Sequence, residues 1–484
     1  MLRRGLRLTL LLGGLVAGFL LALVAVYALP QDRVMYNVRD SLPLMEQEGV
    51  SPTVMMHGPS FRLDNFTDAL MLTMAISTRP GVLDSAMAMD IGLDSTDATR
   101  VLPLVALRQR AYNGTVVRLP YPRYWHGYQV VLRPALMVVT LGDLRYVNML
   151  LLGLLLIAVT LRLRRLVGPA AAAAFFIALL LTGHFIAPVS LQYSNMTYML
   201  LLAALAVSVA ADGGDFTRVD LEVFLVLGAL TAFFDLLTTP LLPLGIAQIV
   251  ALIVVARRRG RPDLRADAML VLRSLVAWGV GYAGSWAAKW AIGTAVLHTD
   301  VFADAAGAAR LRAGLGDGGA MPLDALRLNI EALMPLLRPD AIHRLVGIGP
   351  VVAVVLVALI AGVVAAARAS GVRMRSRSEI ATAAAVLLVA PIPYLWYLAA
   401  SNHSALHAMY TYRLQAVTIF AVLYFLGSLM RSGQAEPVPG AGRGTRRRGS
   451  RRPVRPPSAD AGSTSGPAQR ADAPGPGADT RWVG

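Results

Sequence analysis

Two residue types are wholly or nearly missing from this sequence of 484 residues. Cysteine is absent, which excludes disulfide bonds, thiolate catalysis and cysteine-bound metals. Lysine occurs once, at Lys289, although lysine and arginine together number 45, so the other 44 are arginines. Charged residues of both signs make up only 15% of the chain and hydrophobic residues 56%, a balance that is not typical of soluble proteins.

The hydrophobic residues are gathered in long runs. A helix that crosses a bilayer needs about 20 apolar residues, and runs of roughly this length recur along the chain, which predicts an all-α polytopic membrane protein. The net charge of +16 lies in short arginine clusters beside these runs, as orientation signals do, which argues against nucleic acid as a partner. The bias towards arginine and alanine is typical of a GC-rich bacterial genome, so we expect a bacterial plasma (inner) membrane.

About ten spanning helices are predicted. The first, within residues 1–30, follows Arg3, Arg4 and Arg7 and has no convincing cleavage site, so we interpret it as an uncleaved anchor. Arginine clusters alternate from turn to turn, except in the net-acidic turn after the fourth span, and predict that both termini are cytoplasmic. The other spans are expected at about 145–161, 169–186, 195–211, 219–237, 241–256, 268–296, 345–367, 379–399 and 412–430.

Two long loops and a tail complete the predicted organisation. Residues 30–133 mix charges with short amphipathic stretches, which predicts a large first extracytoplasmic loop of amphipathic helices. Residues 298–343 form a second extracytoplasmic loop. Residues 1–430 thus make up one transmembrane module, and residues 431–484, rich in Arg, Pro and Gly, are predicted to be a disordered cytoplasmic tail.

Unusual polar residues gather on the predicted outer side, which indicates a site that faces outward. In LDNFTDAL, Asp64 and Asp68 are four residues apart and lie on one face of a helix. Repulsion between the two carboxylates raises one pKa, which favours a general base or a cation site for a bound phosphate. The same pattern is also common at helix starts, where Asp64 or Asn65 would be the N-cap.

Further candidates lie near the ends of later spans. Asp235, in TAFFDLLTTP, is at the edge of a span, where an acid is either functional or an interfacial group that reaches water. The stretch SNHSALHAMYTYR holds Asn402, His403, His407 and Arg413, which suit phosphate or sugar hydroxyls but also fit an interfacial polar loop. No recognisable metal-binding pattern accompanies them.

The single lysine lies in SWAAKW, within the seventh predicted span. Lys289 is about seven residues, or roughly 10 Å, from the end of that span, so its ammonium can reach the outer headgroups between Trp286 and Trp290. An arginine would serve this purpose equally well, so the use of lysine favours a compact charge that meets a lipid phosphate. The aromatic stretch YPRYWHGY adds His126 to the same side.

The chain resembles the GT-C superfamily of membrane glycosyltransferases in its cytoplasmic anchor, its large first outer loop that carries acidic residues and its roughly ten spans. More narrowly, it resembles an uncharacterised bacterial multi-pass membrane-protein family near that superfamily. The stretches that carry this likeness are LDNFTDALML, YWHGYQVVLRPAL, FDLLTTPLLPLG, WAAKW and NHSALHAMYTYR. The resemblance extends over most of residues 1–430 and excludes the tail.

The resemblance implies transfer of a sugar from a polyprenyl-phosphate carrier to an envelope glycan or glycolipid acceptor at the outer membrane face. It implies an outer-loop acid as general base, for which Asp64 is the first candidate and Asp68 the second, while Asp32 and Asp40 compete because they are closer to the first helix. The other candidates would bind the donor phosphate or sugar. They are Lys289, Arg413, His403, His407, His126, Asn402 and Asp235. No cofactor is required, although a divalent cation is compatible with this chemistry.

Other functions stay open at this point. A flippase or transporter for a lipid-linked sugar or envelope precursor is the main alternative, although such proteins usually contain repeated halves and no repeat is evident here. A ten-helix membrane acyltransferase would use a histidine in or near its first span, and that span has none. A receptor or scaffold would not need the outer acids.

Overall fold

The computed structural model describes residues 2–54, 61–93, 102–112, 117–213, 216–315, 319–333, 373–374 and 377–431. Within these residues the chain is almost entirely helical, with two short antiparallel strand pairs. Met1–Gly433 forms one compact unit. The predicted tail (431–484) beyond its first residue and the predicted eighth span (about 345–367) lie outside the described residues.

The first helix and the first long loop form a packed unit. Buried side chains of the first two helices, such as Leu23, Val34 and Val38, share a core with Leu72 and Ile76 of the loop. The elements are α1 (Leu2–Tyr27), α2 (Gln31–Glu48), α3 (Asn65–Ile76), α4 (Val82–Ala88), β1 (Ile91–Leu93), α5 (Pro103–Tyr112), β2 (Val117–Leu119) and α6 (Gln129–Leu136).

Long helices dominate the middle of the chain. They are α7 (Leu141–Val167), α8 (Pro169–Leu181), α9 (Leu191–Asp212), α10 (Phe216–Phe234), α11 (Leu241–Arg259) and α12 (Leu264–Leu297), with a 3₁₀ turn at His184–Val189. Shorter elements follow: α13 (Val301–Arg312), α14 (Pro322–Leu333), β3 (Arg373–Met374), α15 (Arg377–Ala384), α16 (Ile392–Ala399), α17 (Ser401–Leu406), α18 (Ala408–Thr411), α19 (Ala416–Ser428) and β4 (Met430–Arg431), with 3₁₀ turns at Ala385–Leu388 and Tyr412–Gln415.

Six helices in the described part of the chain are long and apolar enough to cross a membrane, so the protein is an all-α membrane protein. They are Arg3–Tyr27, Leu141–Val167, Leu191–Asp212, Leu241–Arg259, Leu264–Leu297 and Ala408–Ser428. The predicted third span contains only the 13-residue α8 followed by a 3₁₀ turn. The predicted ninth span is divided into α15, a 3₁₀ turn and α16, because Pro391 and Pro393 interrupt helical hydrogen bonding.

Ion pairs tie the arginine-rich ends of the long helices together. Asp212, at the end of α9, binds Arg162 of α7 at 3.2 Å and Arg258 of α11 at 2.7 Å. Asp220, buried in α10, joins arginines of α1 and α12 in the same way. These helix ends therefore meet on one side of the molecule, and Asp212 and Asp220, which flank the turn after α9, pair with arginines of neighbouring helices.

Helices α10 and α12 approach each other through glycine. A Cβ atom on Gly228 would lie 2.0 Å from the carbonyl oxygen of Trp278, and one on Gly281 would lie 2.1 Å from that of Leu225. The two backbones are therefore in direct contact, a packing that small residues permit in membrane helices.

Helix α12 is longer than a membrane span requires, and its C-terminal part packs against the first loop. Its 34 residues span about 50 Å, some 20 Å more than the hydrocarbon core of a bilayer. Trp125 of the loop donates its indole N–H to the Ser285 carbonyl at 2.8 Å, and Trp290 donates to the Arg123 carbonyl at 2.9 Å. The far end of α12 is thus fixed to the loop, on the side opposite the arginine-rich ends.

Candidate functional site

A cavity of about 370 Å³ opens between the first loop, the start of α9 and the α17–α18 region, and we call it the polar cavity because most of its lining residues have polar side chains. This volume is within the usual range for sites that bind small molecules. Elements that are distant in sequence contribute the side chains. Its polar lining is Ser51, Asp64, Thr67, Tyr121, Gln192, Arg312, His403, His407 and Tyr410.

Asp64 has two roles in this cavity. It is the N-cap of α3, because its Oδ1 accepts from the Thr67 N–H at 3.1 Å and its Oδ2 accepts from the Thr67 hydroxyl at 2.7 Å. Burial raises its pKa above the ordinary value of 3.8, although the Thr67 bonds oppose this change. A carboxylate with a raised pKa is better suited to accept a proton at neutral pH. The N-cap and general-base interpretations are therefore compatible.

Asp68, the second candidate base, holds the start of α9 instead of lining the cavity. Its carboxylate accepts from the Leu191 N–H at 2.9 Å, the Gln192 N–H at 3.1 Å and the Ser190 hydroxyl at 3.2 Å. A carboxylate at a helix N-terminus satisfies donors that have no partner within the helix. Burial nevertheless raises its pKa to about 7, and the negative charge of Asp64 acts in the same direction.

His403 and His407 lie side by side in the cavity wall, with ring centroids 4.8 Å apart. Burial, with the nearby positive charge of Arg312, lowers their pKa values to about 3 and about 4, so both are neutral at neutral pH. His403 donates its Nε2–H to the Leu237 carbonyl at 2.8 Å, which leaves Nδ1 as an acceptor. The pair is thus suited to bind hydroxyl groups, and positive charge comes from Arg312.

Arg312 also lines a second cavity, of about 310 Å³, which is mainly apolar. This cavity lies between the end of α12, α13 and the end of α16. Arg123 is its other cation, and it lies 3.2 Å from Asp304. The apolar lining includes Trp286, Trp290, Ala305, Ala309, Trp396 and Ala399. One guanidinium therefore borders both a polar and an apolar space.

The turn between α10 and α11 separates the two cavities. Leu236 faces the polar one and Leu237 the apolar one, and Leu237 has a φ of +66°, which is uncommon for a residue with a branched side chain. Asp235 holds this turn by accepting from the Thr238 N–H at 2.8 Å. Its other oxygen, Oδ2, has no hydrogen-bond partner within the described ranges. Asp235 therefore stabilises the turn that contributes to the walls of both cavities, without lining either cavity itself.

Asn402 lines neither cavity. Its Nδ2 donates to the Leu311 carbonyl at 2.9 Å, and its Oδ1 accepts from the Ala320 N–H at 3.3 Å. It thus contacts the backbone beside Arg312 rather than open space.

Three other predicted residues are buried in structural contacts. Lys289 is 0% exposed, and its Nζ donates to the Met87 carbonyl at 3.0 Å, so it lies beneath α4 rather than at the headgroups. Arg413 stacks on the Tyr193 ring at 4.2 Å and donates to the Met409 carbonyl. The predicted role of these two cations in phosphate binding gains no support from their positions, because neither lines either of these two cavities.

His126 is the third of these buried residues. Its Nδ1 lies 3.0 Å from the Tyr128 hydroxyl and its Nε2 lies 2.9 Å from the Tyr121 carbonyl. Burial lowers its pKa to about 3. The competing acids Asp32 and Asp40 are exposed on α2 and line neither cavity.

The sequence did not single out the cavity residues Arg312 and Gln192, nor the lining residues Ser51, Tyr121 and Tyr410. Arg312 is one of many arginines, and its stretch AARLRAG has no unusual local feature. Gln192 lies at the start of α9, and its Oε1 is buried with no hydrogen-bond partner in the part of the chain that the structure describes. A buried acceptor that lines a cavity is suited to a ligand hydroxyl.

Within the described residues, no group of three or more His, Asp or Glu side chains is placed to hold a metal ion. Comparisons with protein-family models, with curated proteins and with solved structures find no match to this chain.

Proposed function

We propose that this protein is a membrane glycosyltransferase of the GT-C type. It moves a sugar from a polyprenyl-phosphate carrier to an envelope glycan or glycolipid acceptor at the outer face of the bacterial plasma membrane. Its described helices support a membrane setting, and the polar cavity supplies a carboxylate, neutral imidazoles and an amide acceptor for sugar chemistry.

The observation that carries this proposal is the position of Arg312 between two unlike cavities. A polyprenyl-phosphate sugar has a polar sugar, a charged phosphate and an apolar chain, in that order. The polar cavity, the guanidinium and the cavity lined by tryptophan and alanine follow the same order. Arginine suits the middle position because its planar fork binds phosphate in a bidentate manner.

The reaction requires one bond to form and one to break at the anomeric carbon. The acceptor hydroxyl attacks this carbon, its proton passes to Asp64, and the bond from the carbon to the phosphate oxygen breaks. The electron pair leaves with the polyprenyl phosphate, whose charge Arg312 stabilises. His403, His407 and Gln192 bind sugar hydroxyls, and a single displacement with one base inverts the anomeric configuration. A divalent cation is compatible with this scheme but is not required, because phosphate is already a good leaving group.

A flippase for a lipid-linked sugar is the alternative, and it would use the same two cavities without needing a base. Mass spectrometry of envelope glycans and lipid-linked precursors distinguishes the transferase from the flippase. The cells have the chromosomal gene deleted and are complemented with either the original sequence or Arg312→Ala. The transferase predicts loss of one sugar decoration with accumulation of its lipid-linked donor. Accumulation of a complete precursor inside the cell would instead support the flippase.

A matched control is available on the same helix. Arg310 is exposed, lies two residues before Arg312 and lines neither cavity. Arg310→Ala should restore the glycan fully. If Arg310→Ala and Arg312→Ala gave the same full restoration, Arg312 would have no part in donor binding.

A further inference from the structure

The carboxyl end of α13 is held by two side chains that lie outside both cavities. Asn402 Nδ2 donates to the Leu311 carbonyl at 2.9 Å, and Ser401 Oγ donates to the Ala313 carbonyl at 3.2 Å. These carbonyls lie immediately before and after Arg312 in the chain. The carbonyls at the end of a helix lack the usual partner one turn further on. Here the Leu311 carbonyl accepts from the Gly314 N–H at 3.2 Å as well as from Asn402, and the Ala313 carbonyl accepts from Ser401. We call Ser401 and Asn402 the α13 clamp.

The chain beyond α13 is shaped to fit this clamp. Gly314 has a φ of +73°, a left-handed conformation that glycine adopts at little cost. A Cβ atom at this position would lie 2.8 Å from Ser401 Oγ. Only glycine therefore combines the backbone conformation with the close approach of the clamp.

The clamp also joins two parts of the polar cavity. Ser401 and Asn402 begin α17, and His403 follows on the same short helix with its bond to the Leu237 carbonyl. The spacing between Arg312 and His403, which are distant in sequence, is thus set through one six-residue helix.

Arg312 itself has few other restraints. Its guanidinium carbon lies 5.5 Å from the centre of the Tyr124 ring, and no described carboxylate lies within ion-pair distance. A long side chain with such freedom loses conformational entropy when it binds an anion. Fixing the backbone of Arg312 reduces this entropy cost and directs the guanidinium group towards the junction of the two cavities.

We infer that Asn402, assisted by Ser401, is a positioning residue for Arg312 and thereby sets the affinity for the phosphate of the lipid carrier. This inference rests on the proposed function. Asn402 acts through Arg312 and does not touch the ligand, so its effect must depend on the presence of Arg312.

The test is a double-mutant cycle on the full-length protein in lipid nanodiscs, with undecaprenyl phosphate as the probe. Arg312→Ala should weaken binding about thirtyfold or more, because it removes a charge-assisted contact. Asn402→Ala should weaken it about fivefold, the effect of one lost hydrogen bond on the orientation of Arg312. In the double variant, the Asn402 change should have no further effect.

The control removes an equivalent bond elsewhere. Asn37 Nδ2 donates to the Leu136 carbonyl at 2.8 Å, in a part of the loop that lines neither cavity. Asn37→Ala should lower thermal stability somewhat less than Asn402→Ala, which also loses the bond from the Ala320 N–H at 3.3 Å, and it should leave probe binding unchanged. Hydrogen exchange of the α13 amides provides a second measurement, with faster exchange expected in Asn402→Ala only.

The possible results separate the inference from the proposal on which it rests. If Asn402→Ala binds the probe normally while Arg312→Ala does not, the positioning role is wrong and the proposed function stands. Additive effects in the double variant, or unchanged exchange in α13, would also overturn the positioning role. If the unaltered protein does not bind the probe, both ideas fall.

Discussion

The replacement Asp64→Asn separates the structural role of this residue from its proposed catalytic role. Asparagine is about as good an N-cap as aspartate, and its Oδ1 can still accept from the Thr67 N–H now bonded at 3.1 Å. The variant loses the acceptor for the Thr67 hydroxyl, which has a net value of about 1 kcal/mol. The folded state should therefore persist, with a melting temperature close to that of the original protein.

The effect on sugar transfer should be much larger than the effect on stability. An amide cannot accept the proton of the acceptor hydroxyl, and loss of a general base typically reduces the rate about 10²- to 10⁴-fold. The assay is the initial rate of sugar transfer from the lipid-linked donor, measured on purified protein in nanodiscs. Asp263→Asn is the control, because Asp263 caps α12 through the same kind of bond, to the Ala266 N–H at 3.0 Å.

The pH profile gives a second signature. Burial raises the pKa of Asp64, so more of this residue is protonated at a given pH than an exposed aspartate would be. Activity should fall as the pH decreases through this raised pKa, because the protonated form cannot act as a base. The residual activity of Asp64→Asn should lack this decrease. Full activity with an unchanged pH profile in the variant would refute the assignment of the base.

Two further predictions concern buried residues outside the cavity. Asp68 has a pKa of about 7 in the folded protein, against an ordinary value of 3.8. Between these pH values the folded state binds one proton more than the unfolded state. The free energy of unfolding should therefore decrease by roughly 4 kcal/mol as the pH rises from about 4 to 7. Asp68→Asn should flatten this dependence in melting experiments, and an unchanged slope would exclude Asp68 as its source. Lys289→Met should preserve undecaprenyl phosphate binding within about twofold, because Nζ contacts Met87 and lines neither cavity. A tenfold loss of binding at an unchanged melting temperature would restore Lys289 as a phosphate ligand.

The membrane helices were largely predictable because length and apolarity are local properties. The predicted spans at about 145–161, 195–211 and 268–296 correspond to α7, α9 and α12, with ends that differ by several residues. The predicted ninth span was wrong as one continuous helix, since prolines divide it. The end of α12 at Leu297 agrees with the prediction, but the first loop packs over this part of the helix, so Lys289 is buried and its Nζ bonds to the Met87 carbonyl.

The candidate site was predictable only in part. Asp64, His403 and His407 were selected as unusual polar residues on the predicted outer side, and the fold brings all three to one cavity. Asp68 and Asn402 were selected in the same way, yet each bonds to a backbone segment distant in sequence. Sequence spacing does not show whether a polar side chain meets open space or another segment.

The sequence by itself determined that this chain is an all-α membrane protein without thiol chemistry, and it singled out a small set of unusual acids and histidines as site candidates. Only the tertiary structure decided which of them line a cavity. It also brought Arg312, one arginine among 44, to the junction between a polar and an apolar space. The physical reason is that apolar periodicity acts within a single helix, whereas a cavity is formed by several segments whose packing depends on long-range contacts.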